Sequence, residues 1–156
     1  MRKYCEWGFT LIELVCVVAL LGIIAIITMP VVSGMAGSRN LEIAASALAM
    51  DFRKAQQKAI TEGNVQRIEL RIYNDDYRVR DYGSNTSYTV KLPEGVTYRS
   101  VNFPAEGGHP QVSFYRSGAP SRGGTVGLTD TKGRVKYVII TPATGRVRIA
   151  DSLPDN

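Results

Sequence analysis

The sequence predicts an α+β protein in which a long N-terminal helix leads into, and packs on, a β-rich head. Three observations predict it. Residues Phe9 to Met29 are uncharged except for Glu13. Leu41, Ala45, Leu48, Phe52, Ala55 and Ala59 then recur at alternating steps of four and three. From residue 64 onward, short runs of alternating apolar and polar residues are punctuated by turn-forming residues.

The first run is long enough to cross a bilayer. Its 21 residues, at 1.5 Å of rise each, reach about 30 Å, the thickness of the hydrocarbon layer. Pro30 predicts a kink or break directly after it. Arg2 and Lys3 precede the run and Arg39 follows, which favours a cytoplasmic N-terminus. A secretory signal peptide fits less well, because the run is long and Met29-Pro30-Val31-Val32 offers no small-x-small cleavage site. Glu13 is the anomaly. A carboxylate costs roughly 2.5–3.5 kcal/mol at the centre of a spanning helix and less toward the interface, so it calls for a partner.

Behind the run, "VVSGMAGSRN" holds Gly34 and Gly37 and predicts a soft joint. The stripe from Leu41 to Ala59 then predicts an amphipathic helix packed on a sheet. Glu42, Asp51, Arg53, Lys54 and Lys58 lie on its other side, and Gly63-Asn64 provides the exit. In "QRIELRIY" Ile68, Leu70 and Ile72 alternate with charged residues, so one face is buried; "NDD" turns this strand into "YRVRDY". Residues 83–125 are rich in Gly, Pro, Ser and Asn, with short strands expected near Tyr88–Leu92, Val96–Val101 and Val112–Tyr115. "PAEGGHP" and "SGAPSRGG" read as loops.

"DTKG" and "TPATG" divide the C-terminal stretch into three antiparallel strands, 124–129, 134–141 and 145–150. Arg146 and Arg148 share the face opposite Val147 and Ile149. Pairing residue 146 with 140 would set 150 opposite 136 and bring Lys136 onto the arginine face. Charge is concentrated here. Residues 31–156 carry 17 Lys+Arg against 12 Asp+Glu, whereas Val112 to Ala150 carries seven against Asp130 alone. Arg146, Arg148 and Lys136 would thus form a basic face that suits an anionic partner such as nucleic acid or a membrane surface, or serves as an ordinary solubility charge.

Nothing in the sequence points to catalysis. His109 is the single histidine and lies between Gly108 and Pro110, and Asp75-Asp76 reads as a turn. "SRGGTVG" lacks the Lys-Ser/Thr of a phosphate-binding loop. Cys5 and Cys16 have no cysteine in the head to pair with, so no intramolecular disulfide is expected. No enzyme activity, cofactor or metal site is expected.

The leader "MRKYCEWG" running into "FTLIELV" resembles the class III signal of type IV prepilins and type II secretion pseudopilins, at Gly8, Phe9, Thr10, Leu11, Glu13 and Pro30. The resemblance implies that prepilin peptidase cuts between Gly8 and Phe9 and N-methylates Phe9. It also implies that Glu13 neutralises the freed amine of a neighbouring subunit during assembly. The helix would then serve as a bilayer anchor first and as filament core afterwards. The resulting organisation is a cleaved leader at 1–8 and a transmembrane and filament-core helix at 9–29. An amphipathic continuation follows at 30–63 and a β-rich head at 64–156.

The closing Thr-Gly-Arg-Val-Arg-Ile is similar to the GspH/FimT branch of the pseudopilins; the two matches cover about the first and the last 30 residues. That resemblance implies a pilin-like fold and a minor subunit of a type II secretion or type IV pilus filament. Its expected partners are prepilin peptidase, other pilin or pseudopilin subunits, an inner-membrane assembly platform and, before assembly, the lipid bilayer. The chain would cross the cytoplasmic membrane once, N-terminus inside and head outside, before entering an envelope or surface filament. Gly145-Arg146-Val147-Arg148 also matches a Gly-Arg-x-Arg motif proposed to bind DNA in transformation-associated members. A DNA receptor is thus one alternative, and a major pilin the other.

Overall fold

The computed structural model describes residues 10–153, and their side chains except for those of residues 26–37. Among these residues one helix, α1 (Leu11–Glu62), is followed by nine strands. They are β1 (Gln66–Arg71), β2 (Asp76–Asp81), β3 (Thr86–Lys91), β4 (Val96–Val101), β5 (Ala105–Glu106), β6 (His109–Phe114), β7 (Gly124–Asp130), β8 (Val135–Ile140) and β9 (Val147–Ala150). Helical backbone continues through Pro30, where the composition predicts a break. A proline deletes one ladder bond, and this need not end a helix when helix-forming sequence resumes behind it.

The chain divides into two compact units between Ala36 and Gly37. In the first, Thr10 opens α1 as its N-cap, and every described side chain from Leu11 to Ala25 is exposed. Phe9 and the side chains of residues 26–37 lie outside the described residues, so the expected 9–29 span falls partly beyond them. Among the described residues no helix is long and apolar enough to cross a membrane.

The second unit has its own core. Leu41, Leu48, Phe52 and the alanines between and beyond them turn one face of α1 toward two antiparallel sheets. The sheets run β3-β2-β1-β6-β5 and β4-β7-β8-β9. Alternation explains their inward faces: Ile68, Leu70, Tyr77 and Val79 from one, Val126, Leu128, Val138 and Ile140 from the other, all buried. Phe52 sits 6.4 Å, ring centre to ring centre, from both Phe103 and Phe114. Every buried hydrophobic side chain described lies between Leu41 and Val147, so the head needs no help from the first unit to close its core.

Polar ties fix the helix to β2 of the five-stranded sheet. The Tyr77 hydroxyl donates to Asp51 at 2.7 Å, and Lys58 meets Asp81 at 2.8 Å. Burial, followed by the bond to Asp51, pushes the Tyr77 phenol far above its ordinary value. One expected loop is structured: within "PAEGGHP", β5 and β6 form a hairpin with Ala105 facing Pro110 and Glu106 facing His109. Gly107 and Gly108, at φ of 65° and 90°, supply the two left-handed residues that a tight hairpin turn requires.

Candidate functional site

The β8–β9 hairpin is built by its turn. Thr141 N–H donates to Arg146 O and Gly145 N–H to Thr141 O, at 3.0 and 2.9 Å. Gly145 adopts φ of 65°, a conformation that costs a side-chain-bearing residue but not glycine. Helix α1 grips the result from beneath. Gln56 Nε2 donates to Gly118 O at 2.7 Å and to Thr144 O at 3.3 Å, and Arg53 Nη2 donates to Val147 O at 3.0 Å.

Strand β9 pairs with β8 so that Val147 faces Ile140, Arg148 faces Ile139 and Ile149 faces Val138. Arg146 and Arg148 are therefore exposed on one outward face, and neither has an ion pair among the described residues. The expected pairing of 146 with 140 is corrected by one residue, and a one-residue slip transfers a side chain to the opposite face. Lys136 consequently lies with Val138 and Ile140 on the inward side. There its Nζ meets Glu42 Oε2 of α1 and Asp151 Oδ1, both at 2.7 Å. The hydrogen bond it donates to Asp151, then that to Glu42, raises its pKa. The physical reason for the register is burial: pairing 146 with 140 would place an arginine opposite fully buried Ile140.

The rest of the C-terminal charge is also redistributed. Arg134 is neutralised by Asp130, Nη2 to Oδ2 at 2.6 Å. Burial alone would raise the Asp130 carboxyl, but the bonds from Arg134 and from backbone amides bring it below the usual carboxylate value. Two arginines missed by the sequence reasoning take the place of Lys136. The Tyr115–Gly118 turn shares Gln56 with the Thr141–Gly145 turn, and Gly123 packs on Pro142. Arg116 and Arg122, both exposed, therefore stand at the same end of the head as Arg146. Their only sequence signal is that two cations interrupt a Ser-, Gly- and Pro-rich segment.

At the other end of the chain, Gly8 and Phe9 lie outside the described residues. Glu13 is exposed, and its N–H donates to Thr10 Oγ1 at 3.3 Å. Thr10-x-x-Glu13 is thus half of a capping box, a second use of Glu13 that the sequence pattern contains and that was not read from it. A carboxylate in the first helical turn also faces the positive end of the helix dipole. Among the described residues no cluster of His, Cys, Asp and Glu could hold a metal ion.

Comparison with known proteins supplies the context. The family model described as type II transport protein GspH matches residues 44–145. No curated protein sequence matches the chain. Among solved structures, the minor pseudopilin EpsH from the type 2 secretion system of Vibrio cholerae is similar, with a TM-score of 0.59 at 13% identity. That match covers 71% of this chain and 96% of EpsH. The type IV minor pilin FimU of Pseudomonas aeruginosa matches with a TM-score of 0.54 at 12% identity, covering 72% of this chain and 90% of FimU. At such identities the likeness is one of fold.

Proposed function

The chain belongs to the family of type II transport protein GspH, and from that premise we propose that it is a minor pseudopilin subunit of a type II secretion or type IV pilus filament. Prepilin peptidase cleaves it between Gly8 and Phe9 and methylates the new terminus. It rests in the inner membrane, head outward, and an assembly platform then transfers it to a filament of related subunits. One observation carries this reading. The apolar side chains from Leu11 to Ile23 are exposed, whereas the head encloses its own core, so that helix surface is left for lipid or for other subunits.

The test is the N-terminal residue of the chain isolated from membranes. Peptide mass spectrometry should find methylated Phe9, and Gly8→Trp should leave a precursor that retains residues 1–8. A parent chain beginning at Met1, or normal processing of the variant, rejects the reading.

A second reading, a DNA-binding minor pilin acting in uptake, is favoured by Arg146 and Arg148 standing exposed on one face with no ion pair among the described residues. Two guanidiniums at strand spacing, with Arg116 and Arg122 at the same end, suit a phosphate backbone.

A further inference from the structure

The outward face of the five-stranded sheet carries a charge pattern that the linear sequence hides. Arg67 and Arg80 lie directly opposite one another on β1 and β2, a like-charge pair that a sheet ordinarily disfavours. Neither has a carboxylate partner among the described residues. Nearby, Asp76 holds Arg71 at 2.6 Å, and Glu69 lies across from Arg78. What holds the two guanidiniums is aromatic. Their carbons lie 5.0 and 4.9 Å from the centre of the Tyr82 ring, and Arg67 Nε also donates to Ser113 Oγ at 3.1 Å.

Beside this cluster is an open trough of ≈ 280 Å³ lined by Val65, Arg67, Tyr82, Ser113 and Tyr115. Tyr82 and Tyr115 remain 42% and 46% exposed, large for aromatic side chains flanking a cavity. We propose that this face binds single-stranded nucleic acid, with Arg67 and Arg80, held on the Tyr82 ring, facing phosphates and Tyr115 stacking against a base. Paired, unneutralised guanidiniums suit a phosphate. Tyrosine rings and guanidinium planes suit unpaired bases, whose faces a duplex keeps covered. An acidic peptide would answer the charge but would leave the stacking surfaces unused. An open trough suits an extended strand better than an enclosed small molecule. Arg146 and Arg148 belong with the other sheet, and the proposal does not depend on them.

The experiment titrates the full chain, in non-ionic detergent, into labelled oligothymidylate of about twelve residues. A duplex of equal length and a polyglutamate peptide serve as competitors. The single strand should bind more tightly than the duplex. Arg67→Gln with Arg80→Gln should weaken it about tenfold or more and reduce the salt slope by about 1.4, for two lost contacts. Tyr115→Ala should cost about fivefold, with the salt slope unchanged. Arg80→Lys, which keeps the charge, should retain the slope while losing affinity. Arg146→Gln with Arg148→Gln should leave single-strand binding in place, whatever it does to duplex binding. The proposal is overturned if the oligothymidylate does not bind, if duplex binds equally, or if polyglutamate displaces it at equal charge. It also fails if only the hairpin variant loses the single strand.

Discussion

Lys136 Nζ lies 2.7 Å from Glu42 Oε2, tying the inward face of β8 to the start of the head's helix and away from Arg146 and Arg148. If the hairpin binds duplex DNA, Lys136 takes no direct part. Lys136→Met should leave duplex affinity unchanged within about twofold, whereas Arg146→Gln with Arg148→Gln should lower it and flatten its salt dependence by about two contacts' worth. Fluorescence anisotropy at two salt concentrations measures both. A Lys136→Met variant as weak as the double arginine variant would refute the placement. The same variant should cost no more than about 1 kcal/mol of stability, since Glu42 is largely in water.

Gly145 is set by structure before it is set by any ligand. A Cβ there would approach Gly118 O at 2.9 Å and Gln56 Nε2 more closely still, and φ is already 65°. Gly133 has a similar φ of 78° but open space around it. Gly133→Ala should therefore cost about 1 kcal/mol, the backbone term alone, and Gly145→Ala about 1–3 kcal/mol more. Urea unfolding of the two variants reads the difference, and equal losses would mean that the Gln56 clamp relaxes freely.

Much of this fold is written in periodicity. The four-three stripe of α1 and the alternation of Ile68 and Leu70 with charged neighbours could be read without coordinates, and those residues are buried. The hairpin register could not, because Val138, Ile139 and Ile140 are consecutive apolar residues and alternation is silent where both faces are greasy. Asp51 shows another limit. It reads as a solvent-side residue of the helix, yet it accepts the buried Tyr77 hydroxyl, a partner 26 residues away. The Arg67–Arg80 face was hidden for a related reason. Acids and bases nearly balance along β1 and β2, and only the pairing of the strands places two arginines opposite each other.

Asp81 makes the head sensitive to acid. Its carboxylate, nearly buried, accepts from Ser84 Oγ at 2.7 Å and Gly83 N–H at 2.8 Å and pairs with Lys58 at 2.8 Å. The hydrogen bond from Lys58, then that from Ser84, holds the carboxyl well below its usual range. A carboxyl depressed in the folded state stabilises it above the unfolded value of about 3.9, and that stabilisation is lost as pH falls toward the folded value. Asp81→Asn should therefore be less stable than the parent at pH 7, with the gap narrowing steadily below about pH 4. Chemical unfolding across that range checks it, and a gap independent of pH would show that the carboxylate's charge contributes nothing.

Glu13 has two physical roles available, and they predict different variants. As a capping residue it helps start α1 with Thr10, a contribution of about 1 kcal/mol that Thr10→Ala would remove without touching the charge. As an assembly residue it meets a neighbouring subunit's amine, a contribution that Glu13→Gln would remove while leaving the backbone bond to Thr10 Oγ1 in place. If assembly is the dominant role, Glu13→Gln should be cleaved and methylated normally yet largely absent from sheared filaments, and Thr10→Ala should enter them as the parent does. The readout is the ratio of processed chain in filament and membrane fractions. Equal defects in both variants would overturn assembly as the dominant role of Glu13, because Thr10→Ala leaves its carboxylate in place.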